Sequence, residues 1–207
     1  DVCGKGHAKR WVGAGGRGMT DKSREYLAGI VVPAGRAYIL SVLRDGGREM
    51  TPSEIGSSGR KRFFHATTAK IDGLEAHGLI TSRGRGASRV CAITSAGIAM
   101  LDLMDMRSDA ERSAKAEMSQ LFKAGVKGVR ENPDVHLATL SIRPESRNKM
   151  ICERVIRGET FASIADSIGR HPALVSVQYK MEFRRAMIET AIAEVDRKWI
   201  AEGLTII

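Results

Sequence analysis

Two short runs of strand-forming residues, 79–82 and 89–93, flank a six-residue loop that contains two glycines. This arrangement predicts one β-hairpin. From residue 36 onward the other apolar residues recur mostly at the three- and four-residue spacing of helices. Aromatic residues make up only 5% of the chain, which disfavours a β-sandwich or barrel. The predicted fold is therefore mainly α, with a single small hairpin.

Three helices are predicted before the hairpin and one after it. The first has an apolar face within 36–44 and stops at a Gly-Gly pair. The second begins at Thr51-Pro-Ser-Glu54, where threonine caps the helix, proline fits its first turn and glutamate completes a capping box. The third ends at His77-Gly78, and the fourth opens at Thr94-Ser-Ala-Gly97.

Residues 36–104 resemble the winged helix-turn-helix domain of MarR-type regulators. The resemblance rests on Thr51-Pro-Ser-Glu-Ile55, on Ile71-Asp-Gly-Leu-Glu-Ala-His-Gly-Leu-Ile80 and on Ile93-Thr-Ser-Ala-Gly97. It implies that the helix ending near His77 lies in the major groove of DNA. It also implies that the hairpin is a wing beside that helix. The match covers about a third of the chain and does not include the helices that build the family's ligand pocket, so no effector is expected from it.

A second helical pattern follows Ser146. The stretch Thr160-Phe-Ala-Ser-Ile-Ala-Asp-Ser-Ile-Gly169 and a new helix start at Pro172 resemble the helix-turn-helix of sigma-factor region 4 and of response-regulator output domains. Small Ala165 suits a close helix crossing, and Gly169 suits the turn. The resemblance implies a second DNA-binding helix-turn-helix, although this half could equally contact a protein.

With 207 residues the chain has room for one large domain or two small ones. We expect a flexible basic arm over 1–30, the winged helix-turn-helix over 31–106, a helical linker over 107–145 and the second helix-turn-helix over 146–207. A separate final helix from Met187 carries an apolar stripe that is either core or the seam of a homodimer. The stripe consists of Ile188, Ala191, Ile192, Val195 and Trp199.

The net charge of +9 points to a polyanionic partner, with double-stranded DNA favoured over an anionic membrane surface. The excess of basic over acidic residues is concentrated in the first candidate domain. Residues 51–93 contain seven basic and three acidic residues, whereas 94–145 contain seven and eight. Between Gly56 and Lys70 there are basic residues and no acid, a pattern suited to phosphate contacts.

Three groups of residues are candidates for DNA contact. Arginine at a hairpin tip suits the electronegative minor groove, and arginine and glutamine in a recognition helix pair with guanine and adenine. Around the first recognition helix the candidates are Arg60, Lys61, Arg62, His65, Thr67, Thr68 and Lys70. On the hairpin they are Arg83, Arg85 and Arg89. In the second helix-turn-helix they are Arg170, His171, Ser176, Gln178 and Lys180.

Nothing in the sequence assembles a reaction centre, and we expect no catalytic residue, metal or cofactor. The five histidines are scattered without metal-ligand spacing. The three cysteines form no CxxC pair, which predicts a reducing compartment with Cys91 and Cys152 as core residues. No apolar run is long enough to span a membrane, so a cytoplasmic protein is expected.

These observations favour a sequence-specific DNA-binding regulator of transcription, of bacterial or phage origin. Two alternatives stay open. The first is a replication-initiation or DNA-packaging protein, because such proteins use the same domains. The second is a winged-helix module that binds an acidic protein instead of DNA.

Overall fold

A computed structural model describes residues 19–58 and 66–202. Over these residues the chain is mainly helical with one two-stranded antiparallel sheet, as predicted. The helices are α1 (Asp21–Ala28), α2 (Ala34–Gly46), α3 (Pro52–Ser57), α4 (Thr68–Ala76), α5 (Ser95–Arg130), α6 (Pro133–Ser141), α7 (Arg147–Ile156), α8 (Phe161–Ile168) and α9 (Pro172–Glu202). The strands are β1 (Ile80–Arg83) and β2 (Val90–Ile93).

The chain divides into two compact units with a boundary between Asp102 and Leu103. Helix α5 begins in unit 1 and continues into unit 2, and its helical geometry is broken at Gly125, where φ is 72°. None of the helices within 19–58 and 66–202 is both long and apolar enough to cross a membrane.

The capping signals of unit 1 form as predicted. The Thr51 hydroxyl accepts a hydrogen bond from the Glu54 amide, and the Glu54 carboxylate accepts from the Thr51 amide. Helix α4 ends at His77, and the Thr94 hydroxyl accepts from the Gly97 amide at the start of α5. The buried apolar side chains of this unit are Leu27, Ile30, Ile39, Leu40, Leu43, Met50, Ile55, Ile71, Leu74, Leu79, Ile80, Cys91, Met100 and Leu101.

The predicted hairpin is also present. Strand β1 pairs antiparallel with β2 in a register that runs from Ile80 opposite Ile93 to Arg83 opposite Val90. Met50, which precedes α3, adds a bridge to Cys91 on the outer side of β2. The hairpin is thereby joined by backbone hydrogen bonds to the segment between α2 and α3.

The expectation of a flexible arm over 1–30 is wrong for residues 19–30, and residues 1–18 lie outside the described part. Thr20 caps α1, and Leu27 is buried. The Tyr26 hydroxyl lies 3.0 Å from Nδ1 of His77, at the end of α4. Burial of one leucine and this hydrogen bond hold the segment against the rest of unit 1.

Unit 2 is built around the second predicted helical pattern but starts earlier than expected. Its buried cluster contains Met118, Val129, Leu140, Ile151, Cys152, Val155, Ile156, Ile164, Ala165, Val175, Tyr179, Phe183, Ala186 and Met187. Three of these, Met118, Val129 and Leu140, belong to the range 107–145. Describing that range as a linker was therefore wrong, because its helices α5 and α6 bury apolar side chains in the same core as α7 to α9.

Helix α8 begins and ends as predicted. Thr160 caps its start, and Gly169 ends it and begins the turn to α9. The expected separate final helix does not exist. Helix α9 runs without interruption from Pro172 to Glu202, because no glycine or proline lies inside it. Of the predicted apolar stripe, Trp199 is buried and the other four residues are half-buried.

Candidate nucleic-acid interface

The N-terminal end of α4 is the first element of the candidate site. Thr67 is the N-cap residue, yet its side chain makes no capping hydrogen bond, and the first turn contains no acid. Thr67 and Thr68 are exposed, and Lys70 is half-buried in the same turn. The helix dipole and the open amide groups therefore favour an anion at this end. Four predicted contacts, Arg60, Lys61, Arg62 and His65, lie outside the described residues.

Arg89 has a different environment from the one expected. Its side chain is only 13% exposed and forms ion pairs with Asp72 at 2.6 Å and with Glu75 at 2.8 Å. Its Nε donates to the Ser82 hydroxyl. These contacts hold the residue immediately before β2 against α4. The prediction that Arg89 contacts DNA stays a prediction.

Glu75 is the centre of this cluster. Its Oε1 accepts hydrogen bonds from the hydroxyl and the amide of Ser82, while Oε2 pairs with Arg89. The Ser82 hydroxyl and then its amide, together with Arg89, hold the pKa of Glu75 below its usual range. The two acids belong to α4 and Arg89 immediately precedes β2, so the loop end of the hairpin is tied to α4.

The other two hairpin arginines are exposed. Arg83 pairs with Glu49, which precedes the bridge to β2. Arg85 lies in the hairpin loop and has no ion pair with any residue of the described ranges. The hairpin thus presents one exposed, uncompensated guanidinium at its loop and a second that is shared with a surface acid.

Arg36 is a candidate that the sequence patterns did not identify. Its guanidinium lies against the backbone of α4 at Gly73, where a Cβ atom would be 2.3 Å from a guanidinium nitrogen. The side chain is half-buried and forms no ion pair with another described residue. The absence of a side chain at position 73, inside a predicted helix, was the one signal that something packs closely there.

In unit 2 the predicted DNA contacts do not share one exposed face. Arg170, His171 and Lys180 are exposed, and Nδ1 of His171 accepts the Ala173 amide at the start of α9. Ser176 is half-buried. Gln178 is half-buried, and its Oε1 is buried without a hydrogen-bond partner among the described residues.

The exposed face of α9 is apolar at its N-terminal end. Of the apolar residues Leu174, Val175, Val177 and Met181 in its first turns, only Val175 is buried, and the other three are each more than half exposed. The core covers the opposite side of the helix, where Tyr179 and Phe183 are also buried.

Among the described residues, the thiols of Cys91 and Cys152 and the imidazole of His136 are buried. Burial raises the pKa of the Cys91 thiol, and it raises the pKa of Cys152 to about 12. His136 is buried against Phe183, and burial lowers its pKa. Within 19–58 and 66–202, no three His, Cys, Asp or Glu side chains converge in the manner of metal ligands.

Comparisons of the chain with protein-family models, with curated proteins and with solved structures gave no match.

Proposed function

We propose that this protein binds double-stranded DNA sequence-specifically and regulates transcription, with unit 1 as a winged helix-turn-helix. In this proposal α3 and α4 form the helix-turn-helix, α4 enters the major groove, and the β1–β2 hairpin is the wing. The element order supports the proposal because it is that of a winged helix.

The contact of Arg89 with Asp72 and Glu75 is the observation that carries the proposal. It joins the hairpin to α4, so the loop with Arg85 keeps a fixed position relative to the helix. Because α4 and the hairpin are already held together, binding does not have to order one relative to the other. The smaller loss of conformational entropy favours affinity.

The charges around α4 support contacts with phosphates. Its N-terminus has exposed Thr67 and Thr68 and no acid in the first turn. Arg36 lies along its backbone, and Arg85 is exposed on the hairpin. Hydroxyls, helix amides and guanidiniums are the groups that most often bind the DNA backbone.

The test is a selection of randomised duplex DNA by the purified full chain, at about 50 mM and about 200 mM salt, followed by sequencing. We expect an enriched motif that survives the higher salt. Binding that vanishes with salt and enriches no motif would overturn sequence-specific recognition.

Two variants locate the contact once a motif is known. Arg85→Ala should weaken binding severalfold and reduce the dependence of log affinity on log salt by about one. Lys22→Ala removes an exposed cation of α1 and is the matched control, with affinity near wild type. Equal losses in the two variants would show that Arg85 contributes only general charge.

Regulation is tested separately from binding. A promoter overlapped by the enriched motif is transcribed in vitro with and without the protein, and a change in transcript yield is expected. An unchanged yield would reject the regulatory role and favour replication initiation or DNA packaging.

A further inference from the structure

The first two and a half turns of α9 carry an apolar surface, which we call the α9 stripe. It consists of Leu174, Val177 and Met181, with 51%, 52% and 54% of their areas exposed. Their spacing of three and four residues places them on one side of the helix. Val175, Tyr179 and Phe183 face the core on the other side and fix the rotation of α9. The stripe is therefore held toward solvent by the packing of unit 2.

The flanks of the α9 stripe are cationic. Lys180, Arg184 and Arg185 are exposed, and none of them forms an ion pair with a residue of the described ranges. The sole acid between 170 and 188 is Glu182. It is 3% exposed and bound to Arg143 at 2.9 Å, so it does not offset the surface charge.

We propose that the α9 stripe docks an acidic amphipathic helix of a protein partner. Three apolar side chains at positions i, i+3 and i+7 match the contact pattern by which one amphipathic helix packs on another. The uncompensated cations on either side would pair with Asp or Glu of the partner helix and steer its approach. This role is independent of DNA binding by unit 1.

Two other occupants fit less well. A second copy of the same face would bring Lys180, Arg184 and Arg185 against their own copies, which costs binding free energy. DNA bases would meet half-exposed aliphatic side chains that offer no hydrogen bonds, apart from contacts with thymine methyl groups. Gln178, the side chain best suited to adenine, has its Oε1 buried.

The probe is a synthetic helical peptide of about five turns, with leucines along one face and glutamates elsewhere. A second peptide has serine in place of each leucine and the same charge. Binding of each to the full-length chain is followed by fluorescence anisotropy at about 50 mM and about 200 mM salt. We expect the leucine peptide to bind at least tenfold more tightly than the serine peptide, at both salt concentrations.

Variants assign the binding to α9. The triple substitution Leu174→Ser, Val177→Ser and Met181→Ser should weaken binding of the leucine peptide at least tenfold. The charge reversals Lys180→Glu and Arg184→Glu should weaken it at low salt more than at high salt. Val135→Ser, which changes an exposed valine of α6, is the matched control and should bind like wild type. Circular dichroism verifies that every variant is folded.

Three results would overturn the proposal. Equal binding of the two peptides would show attraction by charge alone. A triple variant that is folded and binds like wild type would place the peptide elsewhere. If the triple substitution weakens binding of duplex DNA and leaves peptide binding unchanged, the α9 stripe would be assigned to DNA. Arg85→Ala should leave peptide binding unchanged, which keeps this test separate from that of unit 1.

Discussion

Arg89 donates from Nη2 to Oε2 of Glu75 over 2.8 Å, and this contact connects the end of the hairpin loop to α4. The two residues are separated by a turn, a strand and a loop. Ser82 on β1 binds both of them, so all three segments meet at one carboxylate. Arg89 therefore stabilises the packing of the hairpin on α4, whereas its neighbours Arg83 and Arg85 are exposed to solvent.

Replacing Glu75 with glutamine should lower the free energy of unfolding of unit 1 by about 1–2 kcal/mol at neutral pH, because a charge-assisted hydrogen bond is lost. The measurement is chemical denaturation followed by circular dichroism. Glu49→Gln, which removes the surface partner of Arg83, is the control and should change stability by less than about 0.5 kcal/mol. Similar losses in both variants would contradict a special role for Glu75.

Glu54 should make unit 1 sensitive to acid. Hydrogen bonds from Thr51, together with Arg48, lower its pKa from 4.5 to about 2. A carboxyl group whose pKa is depressed by folding contributes stability above its unfolded pKa and loses it as the pH falls. Thermal unfolding between pH 5 and pH 2 should therefore depend less steeply on pH in Glu54→Gln than in wild type. Asp45→Asn, a change at an exposed acid of α2, is the control, and a slope reduced equally there would contradict the prediction.

Gly97→Ala should destabilise the protein although alanine is the better helix former. A Cβ at this position would lie 2.1 Å from the Leu79 carbonyl oxygen and 2.8 Å from Cγ1 of Ile93. Relieving that overlap would move α5 away from the hairpin, at a cost of roughly 2–3 kcal/mol. The comparison is Gly78→Ala, which has open space but a φ of 68° and should cost about 1 kcal/mol. Denaturant midpoints of the two variants decide between them, and an unchanged midpoint for Gly97→Ala would refute the close contact.

Gln178→Met should raise the melting temperature by a few degrees at most. The substitution removes a buried carbonyl oxygen that has no partner among the described residues, and it keeps a similar volume. Differential scanning fluorimetry measures the shift. Ser176→Ala on the same helix is the control. A lower melting temperature in Gln178→Met alone would show that the amide makes a stabilising contact.

Local signals explain how much of the fold could be predicted from the sequence. The capping box at Thr51, the glycine after α4 and the caps of α8 at Thr160 and Gly169 each act within a few residues. Their physical effect does not depend on the rest of the chain. The hairpin is in the same class, because its strand runs and its glycine loop are adjacent in the sequence.

Contacts between distant segments could not be predicted in this way. Arg89 meets Asp72 at a separation of 17 residues, and no periodicity relates them. Leu174, Val177 and Met181 lie on the exposed side of α9, and their spacing alone did not reveal which side the core would cover. The part of α5 after residue 106 resembled a polar connector because it contains few apolar residues. Met118 and Val129 belong to a core only through their contacts with distant segments.

The way unit 2 is built also limits how it can be inherited or transplanted. Helices α8 and α9 pack on a core that is completed by residues from before position 146. A gene fragment encoding 146–207 alone would lack Met118, Val129 and Leu140 of the buried cluster, and also Phe122 and His136, which lie against Phe183. The apolar surface that this exposes would be prone to aggregation. A segment that recombination moves together with this core therefore begins near Leu103 and includes most of α5.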